Sequence, residues 1–136
     1  MQIPGRRFMK DDNIFTDWIQ RGADNVILRA DRVASNPSNS AGITVTIKVF
    51  TKNSDETGDG HAVQEAGSST ALQFTVAYND TTVRELVVAS VATSTASNPK
   101  GLEQLVRLQL VATGGGDDDW TEIRLFPPIF YKSATP

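Results

Sequence analysis

Three segments of this chain alternate apolar and polar residues with a period of two. Ile43, Val45, Ile47 and Val49 are interleaved with Thr44, Thr46 and Lys48; Leu72, Phe74, Val76 and Tyr78 with Gln73 and Thr75; Val106, Leu108 and Leu110 with Arg107 and Gln109. Successive side chains of a strand point to opposite faces, so each segment puts one row on a core and one in water, as antiparallel sheets do. Further strands are expected over 14–20, 25–35, 62–65, 83–93 and 120–126, with 42–52, 71–79 and 102–113 framing the three alternating runs. For 83–93 a helix capped by Thr82 is the competing reading, and the β-branched Val87, Val88 and Val91 favour a strand.

Good breakers separate these segments: Arg21-Gly22, Asn36-Pro37, the run 53–60, Asn79-Asp80, Asn98-Pro99 and the run 114–119. Such spacing leaves no room for crossover helices. It predicts an all-β fold, a single antiparallel β-sandwich of jelly-roll or immunoglobulin-like type with about seven or eight strands. Asn79-Asp80 joins two strong segments closely, which predicts a hairpin between 71–79 and 83–93. One domain spans 1–136, with an N-terminal arm over 1–12 and a C-terminal arm over 127–136. The second arm begins with Pro127-Pro128, which cannot donate to a ladder.

At 136 residues a single core can hold the chain without staples. The absence of cysteine excludes disulfides, thiolate metal sites and thiol nucleophiles. Thirteen basic against sixteen acidic residues argue against nucleic acid as a partner. The basic cluster Arg6, Arg7 and Lys10 is followed at once by Asp11 and Asp12 and reads as a solvated tail. No run approaches the roughly 18 apolar residues of a membrane span, so a soluble domain with no membrane partner is expected. Met1 to Lys10 lacks the apolar stretch of a secretory signal.

The loop 53–60, with Asp55, Glu56 and Asp59, offers the oxygen donors and glycines that calcium requires, although its spacing is not that of an EF-hand. Calcium is the one cofactor the sequence suggests, against the plainer reading of a hairpin tip. His61 adjoins this loop, but no second histidine and no nucleophile-elbow serine accompany it, so no catalytic constellation is read and no enzyme is expected. Trp18 and Trp120 are read as core or subunit contacts, or else as a platform for a sugar. Phe8, Phe126, Ile129, Phe130 and Tyr131 are the apolar residues of the two arms and are read as an intersubunit interface, by arm exchange with a second copy of the chain.

The order Asp17-Trp18, Gly22-Ala23-Asp24, the strand Val26-Ile27-Leu28-Arg29 and the alternating strand 43–50 resembles small β-sandwich proteins of phages and phage-like elements. Leu105-Val106-Arg107-Leu108, a Gly-rich turn, then Trp120 and Arg124 extend the likeness. It implies a subunit that decorates or builds a capsid, tail or similar particle, located in that virion or particle, and it carries over no functional residue. The resulting expectation is a non-enzymatic structural subunit that self-associates, itself its main partner within a larger assembly. The alternative is a carbohydrate- or surface-binding module.

Overall fold

The computed structural model describes residues 1–36, 42–64, 70–88 and 102–132. Its strands are β1 (Ile3–Met9), β2 (Asn13–Phe15), β3 (Ile19–Gln20), β4 (Asn25–Asn36), β5 (Ile43–Lys52), β6 (His61–Ala62), β7 (Gln73–Ala77), β8 (Arg84–Val88), β9 (Leu105–Gly114), β10 (Trp120–Leu125) and β11 (Ile129–Tyr131). All their pairings are antiparallel, and they form two sheets. Among the described residues no helix is long and apolar enough to cross a membrane.

In the first sheet Val26 and Ile27 pair with both β11 and β8, and Ala30 pairs with both β10 and β8. A strand has two edges, so β10 and β11 lie end to end along one edge of β4, and β8 lies along the other. β1 then pairs with β10 from outside. In the second sheet all ten residues of β5 pair with β9. The free edge of β9 carries β2 and β3, and the free edge of β5 carries β7 and β6.

Interrupted strands counted once, the described residues give four rows per sheet, within the expected number. Numbered along the chain, the rows run 1-8-3-6 in one sheet and 2-7-4-5 in the other. Every connection between rows crosses from sheet to sheet except the one from β5 to β6 and β7. That order is a jelly roll, two Greek keys wound into facing sheets.

The alternation read from sequence holds residue by residue in β5, whose Ile43, Val45, Ile47 and Val49 are fully buried. β9 answers with Val106, Leu108, Leu110 and Ala112, and β4, β10 and β8 face them with Val26, Leu28, Ala30, Ile123, Leu125 and Val88. Each large apolar side chain so buried contributes roughly 1.5–3 kcal/mol relative to exposure.

Both arms are strands. β1 is an edge strand whose Phe8 is fully buried in the core, so Phe8 is not the intersubunit contact expected of it. Its register shifts between Ile3 and Arg6, where Pro4 and Gly5 interrupt the ladder. Proline is tolerated there because, among the described residues, one edge of β1 has no partner to satisfy. β11 resumes on β4 beyond Pro127 and Pro128, one residue out of step with β10, and Phe126 N bridges the gap by donating to Arg29 O. The predicted strand 14–20 is split into β2 and β3. Between them Thr16 stands in for the ladder: its N–H donates to Leu108 O, and its hydroxyl accepts from Leu108 N, both at 2.9 Å.

The predicted hairpin does not form: β7 pairs with β5 in the second sheet and β8 with β4 in the first. The turn chemistry at Asn79-Asp80 is real, but it reverses the chain into the other sheet. Asp80 holds the crossover. Its carboxylate accepts from Ala77 N at 2.8 Å and from the Arg84 guanidinium, and its carbonyl accepts from Arg32 Nε at 2.8 Å. The rest of the segment predicted over 83–93 lies outside the described residues beyond Val88.

The hydrogen-bonded Arg84 guanidinium, with Ala77 N–H, holds the Asp80 carboxyl below its ordinary 3.8 against the opposing effect of burial. A depressed carboxylate stabilises the fold above its unfolded pKa, and that contribution is lost as pH falls through the lower folded value. Asp80→Asn is therefore expected to cost about 1–3 kcal/mol in urea denaturation near neutral pH. The gap from wild type should close as pH is taken below 3.8.

Candidate functional site

At the end of the second sheet where β5 stops and β9 starts, three separate segments converge. The loop 53–60 leaves Lys52 and returns at His61, which pairs with Thr51. It passes so close to the sheet that a Cβ on Gly60 would meet Thr51 O at 2.6 Å and the Trp18 ring at 2.8 Å, and Gly60 has a φ of +73°. Both facts require glycine there. Near its start, Ser54 donates from N and Oγ to Gln104 Oε1 at 2.7 and 2.9 Å. The segment before β9 is held by Thr51, which is fully buried: its hydroxyl accepts from Glu103 N at 2.7 Å and donates to Leu105 O at 2.9 Å.

The result is a cluster of Glu56, His61 and Glu103, whose nearest side-chain nitrogen and carboxylate oxygens all lie within 4.8 Å of one another. His61 Nε2 stands 3.3 Å from Glu103 Oε1. The Glu103 side chain is only 14% exposed, and its Oε2 and the Nε2 of His61 are buried with no hydrogen-bond partner among the described residues. The separation is that of an ion pair, but the angles do not make a hydrogen bond. Burial pushes the Glu103 carboxyl above its ordinary value; His61 opposes this, and the adjacent Glu56 carboxyl adds to it.

Of the expected calcium ligands, only Glu56 joins this cluster. Asp59 turns to Arg107, whose Nη2 lies 3.3 Å from both Asp59 O and Oδ1, and Asp55 is exposed in the turn. Among the described residues Asp55, Glu56 and Asp59 do not converge on one point. Glu103 was not legible as a site residue. It lies far along the chain from Glu56, near the start of the segment 102–113 that reads as a strand, and the Thr51 hydroxyl fixes its backbone beside His61.

Beside the cluster, the outer face of the second sheet carries a stacked group. The Arg107 guanidinium lies over the rings of Phe15 at 4.0 Å and Trp18 at 4.5 Å, and Lys52 Nζ is 4.8 Å from Trp18. Phe15 and Phe50 meet edge to face at 5.6 Å. Trp120 lies on the outer face of the first sheet beneath Arg7, at 4.0 Å. The two tryptophans thus belong to opposite faces of the sandwich, each half-buried under an arginine.

The remaining arm residues divide by parity. Phe130 packs against the core, and Ile129 is exposed. Tyr131, half-buried, follows Ile129 on the outer face, and Phe126 lies against Arg29 and Arg124. No family model, curated protein or solved structure matches the chain.

Thr51→Val keeps the shape of the side chain but leaves Glu103 N–H and Leu105 C=O without their shared partner. Thermal or urea unfolding should show a loss of about 1–3 kcal/mol. A loss confined to a few tenths would mean that the hydroxyl does not hold this end of the sheet.

Proposed function

We propose that this protein is a non-enzymatic structural subunit that associates with copies of itself through the outer face of its first sheet. The observation that carries the reading is a row of three apolar side chains, Val87, Ile27 and Ile129, set side by side across β8, β4 and β11. One residue along, Val88, Val26 and Phe130 form the matching inward row. The inner row fills the core. The outer one stands in water, with Val87 47% and Ile129 42% exposed.

Single exposed apolar residues are ordinary, but a contiguous row across three strands favours a covering surface. A second copy is the simplest cover, since a two-fold axis sets the row against itself. Further along the same face the outward residues become charged: Arg124 forms a fork with Asp31 at 3.0 and 2.6 Å, which fits a polar rim around an apolar centre. The jelly roll supports the reading by analogy alone, because capsid and lectin domains both use it. A phage-like particle as the setting rests on the order of sequence motifs. The alternative, a sugar-binding module on Trp18 and Trp120, has less support, since the two rings lie on opposite faces.

Light scattering of the purified chain should give a mass above that of the monomer. Ile129→Lys should shift it toward monomer while leaving the melting temperature nearly unchanged, because the side chain contributes little to the core. Phe130→Ala should do the reverse, lowering stability by roughly 2–4 kcal/mol, within the range for large-to-small core changes. A monomeric wild type, or an Ile129→Lys oligomer of unaltered mass, would overturn the proposal.

A further inference from the structure

We infer that Glu56, His61 and Glu103 form a binding site for one divalent cation of the zinc type. The three residues come from a loop, from β6 and from the segment before β9, so their convergence is a product of the fold and not of a local acidic run. An ion bound by imidazole nitrogen and carboxylate oxygen at about 2.0–2.2 Å holds neighbouring ligand atoms roughly 3.3–3.4 Å apart in tetrahedral geometry. The His61 Nε2 to Glu103 Oε1 separation is 3.3 Å. That pair is already spaced as two ligands of one ion. Glu56 lies farther out on the exposed loop, where its Oε1 accepts from Asn53 N at 3.3 Å, and it offers a carboxylate oxygen within 4.8 Å of the other two ligand atoms.

A second observation points to a ligand. His61 Nε2 and Glu103 Oε2 are both buried, and neither has a hydrogen-bond partner among the described residues. Buried polar atoms are as a rule satisfied, and two orphans within one cluster call for a common partner that accepts lone pairs from both. A divalent cation is such a partner. Two carboxylates balance its charge, and the imidazole selects zinc, nickel, copper or iron over calcium, which takes six to eight oxygens. Behind the ligands, the Thr51 hydroxyl fixes the backbone of Glu103, and Gln104 ties the loop to the sheet through Ser54. Such supporting contacts orient ligands in metal sites. Bound there, the ion would fasten the loop 53–60 to the start of β9. The site lies at the end of the second sheet and is independent of the self-association row on the first.

The test is isothermal titration of the full chain, free of any polyhistidine tag and stripped with chelator, with zinc chloride and separately with calcium chloride near neutral pH. His61 is the chain's one histidine, so its ring resonances report coordination without ambiguity. The expected result is one saturable zinc site, at least about tenfold tighter than calcium, with the His61 ring signals displaced. His61→Ala and Glu103→Gln should each weaken zinc by about tenfold or more. Glu56→Gln changes only the exposed loop and serves as the third variant should Glu103→Gln fail to fold. Zinc should raise the melting temperature of the wild type and not of the ligand variants. Absence of saturable zinc binding would overturn the assignment. Zinc affinity unchanged in the variants, or His61 signals that do not move, would also overturn it.

Discussion

The ladder between β5 and β9 is the constraint on which the rest of the molecule depends. Ten residues pair without interruption, and each strand presents four fully buried apolar side chains to the opposite sheet. Among the described residues the first sheet has no comparable ladder: β4 is shared among β8, β10 and β11, each of which covers only part of its length. Because register in a half-buried strand cannot slip by one residue without inverting both faces, the β5–β9 pair also fixes which side chains face water. Phe50, Lys52 and Arg107 are outward for that reason, and the stacked group on Arg107 follows from it.

The strands of the second sheet were the most legible from sequence because they alternate cleanly. Thr44, Thr46 and Lys48 against Ile43, Val45 and Ile47 leave little freedom of interpretation. β1 was not legible. In Ile3–Met9 only Phe8 enters the core, so an edge strand with one anchoring side chain carries almost no periodic signal. β11 was hidden by Pro127-Pro128, which reads as a stop, whereas the ladder lapses there and resumes. The hairpin expected at Asn79-Asp80 failed on a different point: turn residues specify that a chain reverses, and which sheet it enters next is decided by β4.

The site shows the same division. His61 and Glu56 stand in a loop whose composition drew attention, and the expected oxygen cage failed because Asp59 pairs with Arg107. Glu103 supplies the third group through a buried threonine hydroxyl. Long-range hydrogen bonds of this kind leave no trace in local residue spacing. The polar bonds that Thr16, Thr51 and Asp80 make share a function. Each supplies a backbone group with a partner near a place where a strand breaks, starts or changes sheet, where the ladder does not serve it.

The pairing of β1 with β10 bears on how the molecule is made. Phe8, near the start of the chain, is covered only once β10 has arrived from beyond residue 119, and nearly every other connection also crosses between sheets. Folding that depends on such distant pairings is slow, since the entropy of closing long loops is lost before contacts repay it. During synthesis the first strand must wait, apolar anchor exposed, until almost the whole domain has been translated. The jelly roll therefore leaves β1 open to wrong partners until β10 follows it, and β1 with its Pro4-Gly5 interruption is a poor template for them.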